Sequence, residues 1–166
     1  MTSVDQRPAP TKVRGLNGLR ANSLAVVVIL LIEFGLGISV NLYATLPTAD
    51  HGKGMLPAFG GAVTGGPVVL ALHAFLGTLL LAGGIAALVR AILIRRPVLS
   101  GLTGVALLSI LVAWISGSRF IGTMDNGASL AMALATAVSI LCYVLILFLV
   151  ARTAETAHGA SPDRLA

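Results

Sequence analysis

The chain has 166 residues, 57% of them hydrophobic and 10% charged, with a mean hydropathy of +0.97. Soluble domains carry about a quarter charged residues, and this much apolar surface is more than one small water-soluble core can hide, so lipid is the expected solvent. The net charge of +5 does not signal nucleic acid, because the basic residues stand in small groups at the ends of apolar runs and not along one polar face.

In chain order, residues 1–22 are rich in Pro, Ala, Thr and basic residues without an apolar period, and are expected to be a disordered tail. A bilayer core about 30 Å thick needs roughly 20 apolar residues in a helix, and the run 23–46 is the first that meets this. It is too long for the apolar region of a signal peptide, and Ala44-Thr45-Leu46-Pro47 is a poor cleavage site, so it reads as a retained helix. The loop that follows, PTADHGKGMLPAFGGAVTGG, holds six glycines and the apolar set Met55, Leu56, Phe59 and Val63. It is expected to form a short amphipathic lid over the bundle mouth.

The second span, 67–89, opens on Gly65-Gly66-Pro67, and the third, 97–118, on Arg96-Pro97, both with proline in the first turn. Asp125-Asn126-Gly127 offers capping oxygens to the fourth span, 128–151. Residues 152–166 are expected to be a second disordered tail. The fold class is thus all-α, a polytopic bundle of four transmembrane helices.

Arg7, Lys12, Arg14, Arg20, Arg90, Arg95, Arg96, Arg152 and Arg164 fall on one side of this arrangement, and only Lys53 and Arg119 on the other. Basic residues in short flanks stay in the cytoplasm. Both termini are therefore expected to be cytoplasmic in a multi-pass protein of the cell membrane, with 47–66 and 119–127 facing outward.

Helices in lipid associate through small residues and interhelical hydrogen bonds. The stripes expected to face the interior are Glu33, Gly37 and Asn41; His73, Gly77 and Gly84; Ser109, Ala113 and Gly117; and Ala131, Ala135 and Ser139. Trp114, Tyr43 and Phe120 fit an interfacial aromatic belt.

Glu33 is the only formally charged residue within the four spans. On insertion scales Asp, Lys or Arg at the bilayer centre costs about 2.5 to 3.5 kcal/mol, and intramembrane ionisable groups commonly mark an interior site. Glu33, Asn41 and His73 form the expected intramembrane polar site. Helical rise puts Asn41 and His73 in one layer and Glu33 about 12 Å deeper, so a direct contact of Glu33 with His73 needs a vertical stagger or a water. Burial favours an uncharged carboxyl, and two readings of Glu33 stand side by side: a functional group of this site, or a brace that only ties two helices by a hydrogen bond to a backbone carbonyl or to a hydroxyl such as Ser109. At the outer face, His51, Lys53, Arg119 and Asn126 lie near the positive ends of two helices and are candidates for an anion or lipid headgroup. Arg119 has the alternative of pairing with Asp125.

His73 as a haem ligand lacks a second histidine in the spans, and a metal site built from Asp50, His51 and His73 has no established spacing. The single cysteine, Cys142, excludes an intramolecular disulfide. No phosphate loop, zinc-protease helix, nucleophile elbow or dinucleotide fingerprint is present.

At EFGLGISVNLYATLP, LHAFLG and NGASLAMALATAVSILCYVLILF the chain resembles small four-helix membrane proteins of actinobacteria, over most of residues 30–150. The resemblance implies architecture and no established activity. The leading expectation is a non-enzymatic binding module, or an accessory subunit of a homo-oligomer or larger membrane complex, with an outward polar pocket around Asn41 and His73. The alternatives are a haem- or quinone-binding redox protein using His73, and a proton-coupled small-solute transporter using Glu33 and His73.

Overall fold

The computed structural model describes residues 10–43, 52 and 54–159. It holds five helices: α1 (Pro10–Tyr43), α2 (Met55–Gly65), α3 (Val68–Ile94), α4 (Pro97–Thr123) and α5 (Asn126–Gly159). Four of them contain segments long and apolar enough to cross a membrane: Arg14–Tyr43, Val68–Ile94, Pro97–Thr123 and Asn126–Thr153. The shortest has 27 residues, about 40 Å of helix against a hydrocarbon core of about 30 Å.

The four long helices form a ring in which α1 packs on α3 and α5, and α4 on α3 and α5; the short α2 lies against α3 and α4. Chain neighbours run antiparallel, so one end of the bundle carries α2 and the other gathers Arg14, Arg20, Arg90, Arg95, Arg96 and Arg152. We call these the α2 end and the basic end. Outward-facing leucines, among them Leu24, Leu31, Leu42, Leu93, Leu108 and Leu134, are 55–75% exposed. Such continuous apolar surface exceeds what a soluble monomer shows, and together with the four long apolar helices it suggests a membrane protein.

Two apolar cores fill the ring. The larger lies toward the basic end and includes Leu19, Val26, Leu80, Ala91, Tyr143 and Ile146. The smaller, at the α2 end, joins Ala62 of α2 to Val40, Leu70, Phe120, Ile121 and Ala128. Close approach in the larger core depends on glycine: a Cβ added at Gly83 would stand 3.1 Å from Val26 Cγ2, and one at Gly84 2.9 Å from Leu107 Cδ1. Several hydroxyls within the helices are satisfied locally, as when Thr136 donates to Met132 O at 2.9 Å and Ser118 to Trp114 O at 3.0 Å, whereas those of Ser23 and Tyr143 are buried without a partner. Ser139 donates both to Ala135 O at 3.0 Å and across to Ala106 O at 3.3 Å, which ties α5 to α4.

The connections agree with the sequence signals. Pro97 opens α4 directly after the two arginines, and Arg95 ends α3 in a left-handed conformation with its N–H donated to Ile92 O. Asp125 caps α5, its Oδ1 accepting from Gly127 N–H at 2.9 Å. A short helix, α2, forms within the glycine-rich loop and begins at Met55. At its junction with α3 a Cβ on Gly66 would come within 2.7 Å of Ala62 O, so only glycine permits the turn.

The helices overrun the expected spans at the basic end. Residues 10–22 and 152–159, expected in disordered tails, belong to α1 and α5. Leu19 is fully buried in the larger core with Leu16 against it, and Asn22 Nδ2 donates to Gly83 O at 3.1 Å. Arginine is compatible with helix at these positions, since its stem covers apolar surface while the guanidinium reaches polar groups: Arg96 donates to Thr153 Oγ1 at 2.8 Å and Arg152 sits 4.3 Å over the Phe148 ring.

A Gly84→Leu variant tests the glycine contact. Forcing a large side chain into a close-packed seam costs about 1–3 kcal/mol, so thermal unfolding in detergent should shift down by several degrees, and an unchanged midpoint would show that α3 and α4 do not meet at this residue.

Candidate functional site

Between the two cores the ring surrounds a partly open cavity of about 250 Å³. Leu30, Leu80 and Ile110 line it on the side of the larger core, and Val40, Leu70 and Phe120 on the side of the smaller. Phe59 of α2 lines the cavity as well, its ring 5.2 Å from Trp114 of α4 at 47°. Trp114 Nε1 donates in turn to Thr78 Oγ1 at 3.4 Å.

Glu33 and His73 line this cavity and meet directly, His73 Nδ1 against Glu33 Oε2, with the Glu33 side chain 6% and the His73 side chain 22% exposed. The expected 12 Å offset between them is therefore wrong, and so is the expected partner of Glu33: the carboxyl turns to the imidazole and not to Ser109. The reason is the register of α1 on α3. A Cβ on Gly37 would lie 3.4 Å from His73 Cε1, and one on Gly77 3.5 Å from Glu33 Oε1. His73 thus sits opposite the turn from Glu33 to Gly37, and α1 extends past the start of α3 by about one turn, or 5 Å. Levelling the ends of the two spans, as the sequence reading does, misses that slide.

A carboxyl and an imidazole in contact can hold one ionising proton between them and remain neutral as a pair. This is the arrangement in which burial is least unfavourable, because no net charge is left in the apolar interior. Glu33 Oε1, Glu33 Oε2 and His73 Nδ1 are all buried, and the contact between Oε2 and Nδ1 does not have the geometry of a hydrogen bond, so Oε1 in particular stands as an open acceptor. Chemically the site offers one free acceptor and one exchangeable proton in apolar and aromatic surroundings.

Asn41 lines the same cavity but is exposed, about one turn beyond Gly37 and level with the start of α3, not in the layer of His73. Arg119 and Asn126 are exposed at the α2 end, and neither lines the cavity. Arg119 makes no ion pair with Asp125 among the described residues. His51 and Lys53, the other members of the candidate anion site, lie outside the described residues, as does Asp50. The aromatic belt also needs correction: Tyr43 is 84% exposed, but Phe120 is buried and Trp114 lines the cavity. The role of Phe59 was signalled only by its place in the lid sequence.

Haem does not fit at His73. The Cε1 and Nε2 edge of the ring faces Gly37, where an added Cβ would stand 3.4 and 3.9 Å from those atoms, so α1 occupies the space that a porphyrin on Nε2 would need. Among the described residues no three His, Cys, Asp or Glu side chains come together as a metal-binding group.

The chain matches no family model, no curated protein and no solved structure. The expected resemblance to actinobacterial four-helix proteins therefore finds no support in these comparisons.

A double-mutant cycle tests the pair. Glu33→Leu or His73→Leu alone leaves one buried polar group without its partner, at a cost of about 1–3 kcal/mol. The double variant should recover part of that loss. Strict additivity in detergent unfolding would mean that the two side chains do not interact.

Proposed function

We propose that the protein is a membrane-embedded binding module for a small, mostly apolar molecule, without catalytic activity of its own. The observation that carries this reading is the buried Glu33 and His73 pair set into an otherwise apolar cavity of about 250 Å³. Small-molecule sites are concave and largely apolar, with a few convergent polar groups that fix orientation, and typically measure about 300–1,000 Å³. This cavity is at the small end of the range, which favours a compact ligand. Lid helix α2, with Phe59 at the cavity, stands where a ligand would enter from the α2 end.

In this reading the module is inserted in the cell membrane with its basic end and both termini in the cytoplasm, and α2 facing outward. The six arginines of the basic end, against Arg119 at the other among the described residues, support that orientation. The exposed apolar faces of the four helices leave room for lipid, for a second copy or for a larger complex in which the module is an accessory subunit.

A second reading, a proton-coupled carrier, is favoured by the same pair, since a proton held between two side chains can be exchanged. Four helices supply few walls for a complete pathway, so this reading requires a dimer.

Native mass spectrometry of protein released from mild detergent tests the binding reading. The wild type should carry one small-molecule adduct per chain. Gly77→Leu places a side chain between Glu33 Oε1 and Trp114, where a Cβ alone would stand 3.5 and 3.8 Å from them, and should lose the adduct. An adduct that survives Gly77→Leu, or a wild type that carries none, contradicts the reading.

A further inference from the structure

Both oxygens of Glu33 are buried without a hydrogen-bond partner: Oε2 lies against His73 Nδ1, itself unpartnered, and Oε1 has no polar group beside it. The residue as a whole is 5% exposed, and Oε1 lies beside Gly77 on the wall of the cavity. A buried acceptor left open is unfavourable by roughly the desolvation of that group, and a ligand with an N–H or O–H donor relieves it. Phe34, Phe59 and Trp114 line the same space, and aromatic rings attract cations most strongly where water is excluded. Among the described lining residues there is no Lys or Arg that would repel a cation or hold an anion.

From these features we infer that the cavity takes a small aryl or alkyl amine in its protonated form, in exchange for the proton that Glu33 and His73 hold between them. This rests on the binding reading above. At rest the two side chains share one ionising proton and sum to zero. When the ammonium enters and donates to Oε1, that proton leaves for water. The site again sums to zero: one carboxylate, one neutral imidazole, one ammonium. Without that release the site would carry a net positive charge in the apolar interior, which is costly. A carboxylate ligand would meet the Oε1 lone pairs and add a net negative charge to a site that already sums to zero. Size agrees: a cavity of about 150 Å³ holds benzene, so 250 Å³ accommodates a phenyl ring with a short aminoalkyl arm.

Glu33 of α1 and His73 of α3 are the titratable residues among the described lining. Phe59 of α2, Trp114 of α4 and Met132 of α5 face the same space. Arg119 and the α5 cap Asp125 are exposed at the α2 end, and Cys142 and Tyr143 of α5 belong to the core toward the basic end.

Isothermal titration of the full chain in detergent, in two buffers of different protonation enthalpy, reads both affinity and proton release. The probes are 2-phenylethylamine, its neutral analogue 2-phenylethanol and the anion 3-phenylpropionate. The amine should bind at least about tenfold tighter than either analogue, release about one proton, and tighten about tenfold per pH unit over the range in which release is seen. Glu33→Gln should abolish the release and bring the amine to the affinity of the alcohol; should that variant not fold, the two-buffer comparison on the wild type decides alone. Amine binding without proton release, or an alcohol that binds as tightly, overturns the exchange and leaves the binding reading intact. Failure of all three probes to bind overturns both.

Discussion

A carboxyl in the middle of an apolar helix can be held in lipid only if something shares its proton, and in this bundle that partner is the imidazole of His73. The pairing constrains the architecture around it. For Glu33 and His73 to touch, α1 must lie one turn further along α3 than the ends of the two spans suggest, and the faces between them must be small. Gly37 and Gly77, each one helical turn from a member of the pair, meet that requirement.

The cavity follows from the same packing. Large side chains fill the ring on either side, with Leu19, Tyr143 and Ile146 toward the basic end and Leu70, Phe120 and Ile121 toward α2. Between them the walls are set by Gly37, Gly77, Ala113 and Gly117, and the space they leave is not filled by protein. A bundle built only for packing would close it with one or two leucines at little cost in helix propensity. Here it is lined by a polar pair and roofed by Phe59 of a short helix whose junction with α3 admits only glycine at position 66. The free acceptor, the exchangeable proton and the aromatic lining occupy one volume, which is why a binding role explains more of the structure than packing alone.

Much of the fold was legible in the sequence because lipid imposes simple rules. Length and hydropathy marked the four spans, Pro97 and the Asp125 cap marked two helix starts, and the glycine-rich loop with Phe59 and Val63 marked the lid. The sequence also singled out Glu33 and His73. What it did not show was their contact, because the vertical offset between two helices is set by side-chain interlock along the whole seam, from Gly18 under Arg90 to Gly37 under His73. The helical residues before Ser23 were missed for a related reason: their composition is that of a tail, and only docking of Leu19 and Asn22 on α3 makes them part of the bundle. Trp114 and Phe120 look like belt residues by depth, but depth does not reveal which way a ring faces. Of the polar candidates at the α2 end, Arg119 and Asn126 stand outside the cavity, while His51 and Lys53 lie outside the described residues.

The contact between Glu33 and His73 is the claim from which the cavity chemistry is derived. Solid-state NMR of the protein in lipid bilayers, with the imidazole nitrogens and glutamate carboxyl carbons labelled, tests it most directly. A dipolar coupling between His73 Nδ1 and the Glu33 carboxyl carbon, with the nitrogen protected from exchange with water, is the expected result. An imidazole nitrogen that exchanges freely and shows no coupling to that carbon would contradict the account.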